Sequence, residues 1–139
     1  MSNWCMNAIL ISGPSEDVSV LYKSLKEYCD AEVKSKEKEP DLNPVNIGAW
    51  IEAKFSDKLP EFTEKDYALS YRNFIEAYAY SEEDAYDKEA HIDIYTYSAW
   101  DSRMYALVKL IEVGFPKCII NYKIRKMNLG NIFQKDGTI

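Results

Sequence analysis

From His91 to Trp100 the chain alternates with a period of two. Ile92, Ile94, Thr96 and Ser98 point one way, and Asp93, Tyr95 and Tyr97 the other. β-Branched and aromatic residues throughout make this a strand. A helical period follows, with Met104, Leu107, Val108 and Ile111 on one face and Gly114 and Pro116 to stop it. Alternation returns from Cys118 to Lys126, setting Cys118, Ile120, Tyr122 and Ile124 against Ile119, Asn121, Lys123 and Arg125. A strand, a one-faced helix and a strand with short joins require a sheet for the helix to cover, and that requirement limits the rest of the chain.

The remaining segments fit it. Trp4 to Ser12 alternates with apolar residues on both sides, as expected of a strand in the middle of a sheet. Gly13-Pro14 ends it and opens a helix, with Glu16 and Asp17 at the positive end of the helix dipole. Val18, Leu21, Tyr22, Leu25 and Tyr28 or Cys29 form its apolar stripe. Ala31 to Gly48, with the charged run Lys34–Glu39 and two prolines, reads as loop. Ala49–Phe55 fits a short helix or a strand, with helix favoured, and Pro60 to Tyr67 reads as loop that can hold a helix near Thr63–Tyr67. Phe74 to Tyr80 reads as a strand with Phe74, Glu76, Tyr78 and Tyr80 on one side, joined to the His91 strand as a long-looped hairpin. Asn128 to Asn131 reads as a turn and Ile132 to Gln134 as a short last strand. The expected fold is α+β: a ferredoxin-like β-α-β-β-α-β antiparallel sheet with two helices on one face. One domain spans residues 1–139, with an irregular insertion at about 30–70.

Composition bounds the class. With 47% apolar residues among 139, the chain is globular and large enough for a core without metal or disulfide. Its net charge of −6 is unevenly spread. Residues 1–100 carry 20 acids and 10 bases, whereas residues 101–139 carry 3 acids and 7 bases. An acidic chain is a poor default for gripping phosphates and a better one for meeting a basic protein surface. Cys5, Cys29 and Cys118 are an odd set without paired spacing, which argues against a disulfide framework. No signal-peptide pattern and no run of about 18 apolar residues is visible, so a cytoplasmic protein without a membrane partner is expected.

Three patches resemble a known family. Asn3-Trp4-Cys5-Met6-Asn7, with Ile9, Ile11 and Gly13 after it, is similar to the Asn-Trp-Cys-x-Asn opening of the YubB-type ferredoxin-like proteins carried by phages, plasmids and other mobile elements. Thr96-Tyr97-Ser98-Ala99-Trp100 resembles that family's segment before its second helix. Phe115-Pro116 with Ile120, Tyr122 and the Gly130 turn resembles its closing portion. Asp101-Ser102 stand where the family has two prolines, and Lys123 where it has an acid. The resemblance implies the fold and a mobile-element setting, and it implies no activity.

Few residues offer chemistry. His91, the only histidine, has Asp87, Glu89 and Asp93 nearby, but no His-x-His or Cys-x-x-Cys accompanies it, so no metal site is expected. There is no glycine-rich phosphate loop and no Gly-x-Ser-x-Gly elbow, so neither cofactor nor catalytic residue is expected. Cys5 with His91 is the one conceivable nucleophile and base, and would make the chain a small-molecule enzyme or sensor. Trp4 and Trp100 are expected to pack together in the core. The leading expectation is a non-enzymatic interaction module of mobile-element type. It uses an acidic patch of Glu76, Glu82, Glu83, Asp84, Asp87 and Glu89 against the basic surface of a host protein. A nucleic-acid-processing defence complex is the kind of partner expected, which makes the chain an anti-CRISPR-like inhibitor. The alternative is single-stranded nucleic-acid binding through Lys117, Tyr122, Lys123, Arg125 and Lys126.

Overall fold

The computed structural model describes residues 4–38, 45–84, 88–100 and 103–127. Its strands are β1 (Trp4–Pro14), β2 (Asn73–Asp84), β3 (Glu89–Ala99) and β4 (Ile119–Met127). They form one antiparallel sheet in the order β2-β3-β1-β4. The helices are α1 (Ser15–Lys38), α2 (Ile47–Phe55), α3 (Glu64–Ala68) and α4 (Tyr105–Lys109), the last running into a wide π turn at Leu110–Gly114. The fold is therefore α+β, with α2 and α3 lying within the stretch expected as an irregular insertion.

β1 lies between β3 and β4, as its two-sided apolar pattern required. Ile9 is opposite Ile94 on one side and Tyr122 on the other. Cys5, Asn7, Ile9 and Ile11 are buried, whereas Met6, Ala8 and Leu10 are exposed, so the helices cover one face of the sheet only. The core between the layers takes Ile9, Ile11, Ile92 and Ile94 from the sheet and Val18, Leu21 and Leu25 from α1. It is completed by Ile47, Trp50 and Ile51 of α2 and by Leu107 and Leu110.

α1 continues to Lys38, where the sequence suggested loop from Ala31. Alanine, glutamate and lysine in that stretch have high helix propensity, and a helix needs an apolar stripe only where it has something to cover. The insertion is ordered over residues 45–70. Asn46 caps α2, its Oδ1 accepting the Ala49 N–H at 2.7 Å. Asp66 accepts the Thr63 N–H at 2.8 Å at the start of α3. A Cβ on Gly48 would lie 2.6 Å from the Tyr67 carbonyl oxygen, so glycine lets α2 approach the end of α3. Residues 39–44 and the expected last strand at 132–134 lie outside the described residues.

Two further expectations change. A β-bulge between Ile75 and Ala77 places Glu76 as an extra residue in β2. Beyond it the facing of the strand inverts: Tyr78 and Tyr80 pair with Ile94 and Ile92 and turn towards Tyr22 of α1, while Ala77 and Ala79 face out. The tryptophans also exchange roles. Trp100 leaves the sheet with φ 75° and is 49% exposed. Trp4 lies on the uncovered face beside Tyr97 and Phe74, at ring distances of 5.6 and 6.3 Å. The buried tryptophan is Trp50, whose Nε1–H donates to Ser24 Oγ at 2.9 Å and whose ring meets Phe55 edge-on.

Trp50→Ala is therefore expected to lower stability by about 3–5 kcal/mol. Trp100→Ala should stay within about 1 kcal/mol of wild type, both read by urea denaturation at pH 7. A second expectation concerns alkaline pH. The Tyr71 hydroxyl donates to Glu52, and that bond, then burial, pushes its pKa from 10.0 up to about 12. A pKa raised on folding contributes stability that is fully present below pH 10 and is lost as the pH rises towards 12. Wild type should therefore lose stability more steeply than Tyr71→Phe across that window; parallel melting curves for the two would contradict it.

Candidate functional site

The face of the sheet that no described helix covers is built by the register. Side by side across the strands run Ala77, Tyr95, Ala8 and Lys123, and next to them Phe74, Tyr97, Met6 and Arg125. Directly paired residues in an antiparallel sheet point to the same side, so all eight project from the open face. Tyr95 is 50% exposed because its neighbours on both flanking strands are alanines. Met6, Leu10 and Ile119 add exposed apolar surface on the same side. Around Tyr95 the face forms a hollow of about 820 Å³ that also takes in Glu76, Lys123 and Arg125. That volume is within the usual range for a ligand site, but the hollow is open and shallow, as a docking face is.

Charge across this face is sorted by strand. Lys123 and Arg125 stand on β4 at one edge of the sheet, and Glu76 stands on β2 at the other. Towards the far end His91 Nε2 lies 2.7 Å from Ser81 Oγ and 3.5 Å from the Asp93 carboxylate. Under the hollow, on the covered side, Asn7 Nδ2–H donates to Thr96 Oγ1 and Ser98 Oγ, both at 3.0 Å. This buried polar pair of bonds ties β1 to β3 directly behind the site.

The expected residues divide between surfaces. Of the acidic set, Glu76 lines the hollow, while Glu82 and Glu89 are exposed at the β2–β3 end, Glu82 accepting from the Tyr80 hydroxyl at 2.9 Å. Six residues of strand separate Glu76 from Glu82, roughly 20 Å. The structure therefore does not bring Glu76 together with that end. The side chains of Glu83 and Asp84, and all of Asp87, lie outside the described residues. Of the basic set, Lys123 and Arg125 share the open face, Tyr122 pairs with Ile9 and points to the covered side, and exposed Lys117 precedes β4. The Lys126 side chain lies outside the described residues.

Cys5 and His91 are not brought together. Cys5 is buried opposite Ser98, and His91 stands on the open face seven residues further along the same strand, roughly 23 Å away. No group of three His, Cys, Asp or Glu side chains suited to a metal occurs among the described residues. No helix among them is long and apolar enough to cross a membrane. Sequence reasoning did not single out Met6, Ala8 or Tyr95. The signal was present in the alternation of β1 and β3, which leaves an apolar side that no helix among the described residues covers. Comparison with protein-family models, curated proteins and solved structures finds no match to this chain.

The remaining thiols are poor nucleophiles. Burial, then the Asp30 carboxylate, pushes Cys29 up to about 11. Burial, then Asp17, does the same to Cys118. At pH 8 only about one in a thousand of either thiol is ionised. Both should react with a disulfide reagent at pH 8 at least about tenfold more slowly than in the urea-unfolded chain. Mass spectrometry of partly labelled protein locates the label, and rapid labelling of either in the folded state would contradict this placement.

Proposed function

We propose that this chain is a non-enzymatic protein-interaction module of ferredoxin-like type, and that its working surface is the open face of the sheet. The observation that carries the reading is the exposed row of Met6, Ala8 and Tyr95 between a basic strand and an acidic one. Contiguous apolar surface rimmed by charge is what protein partners bury. The strand order, read from β4 as β4-β1-β3-β2, and the two helix-linked strand pairs support the ferredoxin-like description. The resemblance of Asn3–Gly13 to the YubB-type opening supports a mobile-element setting and, with it, a host protein met in the cytoplasm. Glu82 and Glu89, on opposite sides of the sheet at the β2–β3 end, give that end an acidic rim against which the basic surface of a nucleic-acid-processing defence protein fits, in the manner of an anti-CRISPR inhibitor.

Single-stranded nucleic acid is the second reading, favoured by Tyr95 sharing the hollow with Lys123 and Arg125. A half-exposed ring can stack a base while cations hold the phosphates. Glu76 in the same hollow and the net charge of −6 weigh against it.

Capture from nuclease-treated host extract, using wild type, Tyr95→Glu and the pair Glu82→Lys with Glu89→Lys, tests the assignment. The open-face substitution should abolish recovery of protein partners, and reversal of the acidic end should remove only the basic ones. Equal recovery by wild type and Tyr95→Glu would discard the open face as the working surface.

A further inference from the structure

We infer that the open face is closed by a second copy of this chain, related to the first by a two-fold axis that lies along the strands midway between β3 and β1. The inference rests on the reading that this face docks protein, and it names the occupant.

The strand order makes the face complementary to itself under that one operation. Stacked sheets sit about 10 Å apart with their strands near alignment. A two-fold along the strands carries β4 over the second copy's β2 and β1 over its β3, and it preserves position along the strand. Each cross-strand row therefore meets its own reversal. In the row Ala77, Tyr95, Ala8, Lys123, the Tyr95 ring falls on the second copy's Ala8, and its Tyr95 falls on Ala8 of the first. Large side chain meets small one twice, which is how facing layers interdigitate.

Charge pairs by the same operation. Glu76 sits in the bulge between the Lys123 row and the Arg125 row, so it faces the second copy's Lys123 and Arg125. The contact occurs twice, because a two-fold interface presents the same patch from both sides. Arg125 is carried onto the second copy's Phe74, where a cation over an aromatic edge cluster is favourable. A two-fold across the strands would instead stack β4 on β4 and set Lys123 and Arg125 against themselves, so the charges select one arrangement. The β2 bulge is part of this fit. Without it Ala77 would turn to the covered side, and Glu76 would take the place opposite Tyr95 in that row.

The area sets the strength. Nine paired positions along β1 and β4, with four strands across, make a footprint of roughly 19 Å by 30 Å. The two copies together remove on the order of 1,100 Å² from water, just above the ~1,000 Å² that a specific interface needs. The association is therefore concentration-dependent, with no permanent pair.

Sedimentation equilibrium of the full chain from about 10 to about 500 µM tests this, with thermal melts confirming that each variant folds. Wild type should pass from monomer to dimer in that range. Tyr95→Glu should raise the dissociation constant by about tenfold or more. Glu76→Lys alone should weaken the dimer, as should Lys123→Glu with Arg125→Glu. All three changes in one chain should restore it. A wild type that stays monomeric at the highest concentration overturns the inference, as does a dimer indifferent to Tyr95→Glu or a triple variant weaker than its parents. If wild type is monomeric but Tyr95→Glu still loses its partners in the capture experiment, the docking face stands and only self-association falls. A monomer that binds a labelled single strand of about 20 nucleotides, and loses it on Lys123→Glu, gives the face to nucleic acid and overturns self-association too.

Discussion

The structure depends on β1 being hydrogen-bonded along both edges. A strand with neighbours on either side has no freedom of register, because each slip by one residue would move every side chain to the other face. Here β1 pairs with β3 from Trp4 to Pro14 and with β4 from Trp4 to Ser12. That double pairing fixes Ile9 and Ile11 under α1 and leaves Met6, Ala8 and Leu10 on the opposite side. Asn7 reinforces the register from within. Its side-chain N–H groups reach Thr96 and Ser98 across the strand gap, and its Oδ1 meets no hydrogen-bond donor among the described residues. A buried polar group held at such cost is tolerated where it specifies one pairing over another.

Much of this could be read from residue order. The alternation in β1, β3 and β4 gave the facing of each strand correctly, and the stripe Val18, Leu21, Leu25 gave the buried side of α1. What could not be read were the places where tertiary context overrides local pattern. The bulge at Glu76 leaves no mark in composition, since an extra residue in an alternating run looks like the run itself. The charged end of α1 has no apolar period in the sequence to betray it. Trp100 was misjudged for a related reason. Residue type favours burial, but the chain must leave the sheet there in a left-handed conformation, and the side chain goes out with it. The open face was legible in pieces only. Tyr95 and Ala8 lie 87 positions apart in the sequence, and only the register sets them side by side.

The division of labour between the two faces follows from the count of layers. All described helices serve one side, where α2 inserts Trp50 between α1 and the ring cluster of Phe55 and Phe115. The described part of the insertion thus thickens the covered side. A sheet finished on one side and bare on the other behaves as half of a sandwich. At one end of that bare side Ser81 and Asp93 flank His91, and the rest presents shape and segregated charge.

The position of β1 in the chain has a consequence for biogenesis. Its partners Thr96 and Ser98 are 89 and 91 residues away from Asn7, so β1 is synthesised roughly 4–18 s before it can pair. Throughout that interval both of its edges are unsatisfied, and the chain carries no charged residue before Glu16. An uncharged apolar segment waiting for distant strands is a target for mispairing between nascent chains. Gly13-Pro14 limits how far such mispairing can extend, and α1, which can form as soon as it is made, offers Val18, Leu21 and Leu25 as temporary cover. The segment on which the finished sheet is built is thus also the one a ribosome-bound chain must shield longest, and holding chaperones would act on it first.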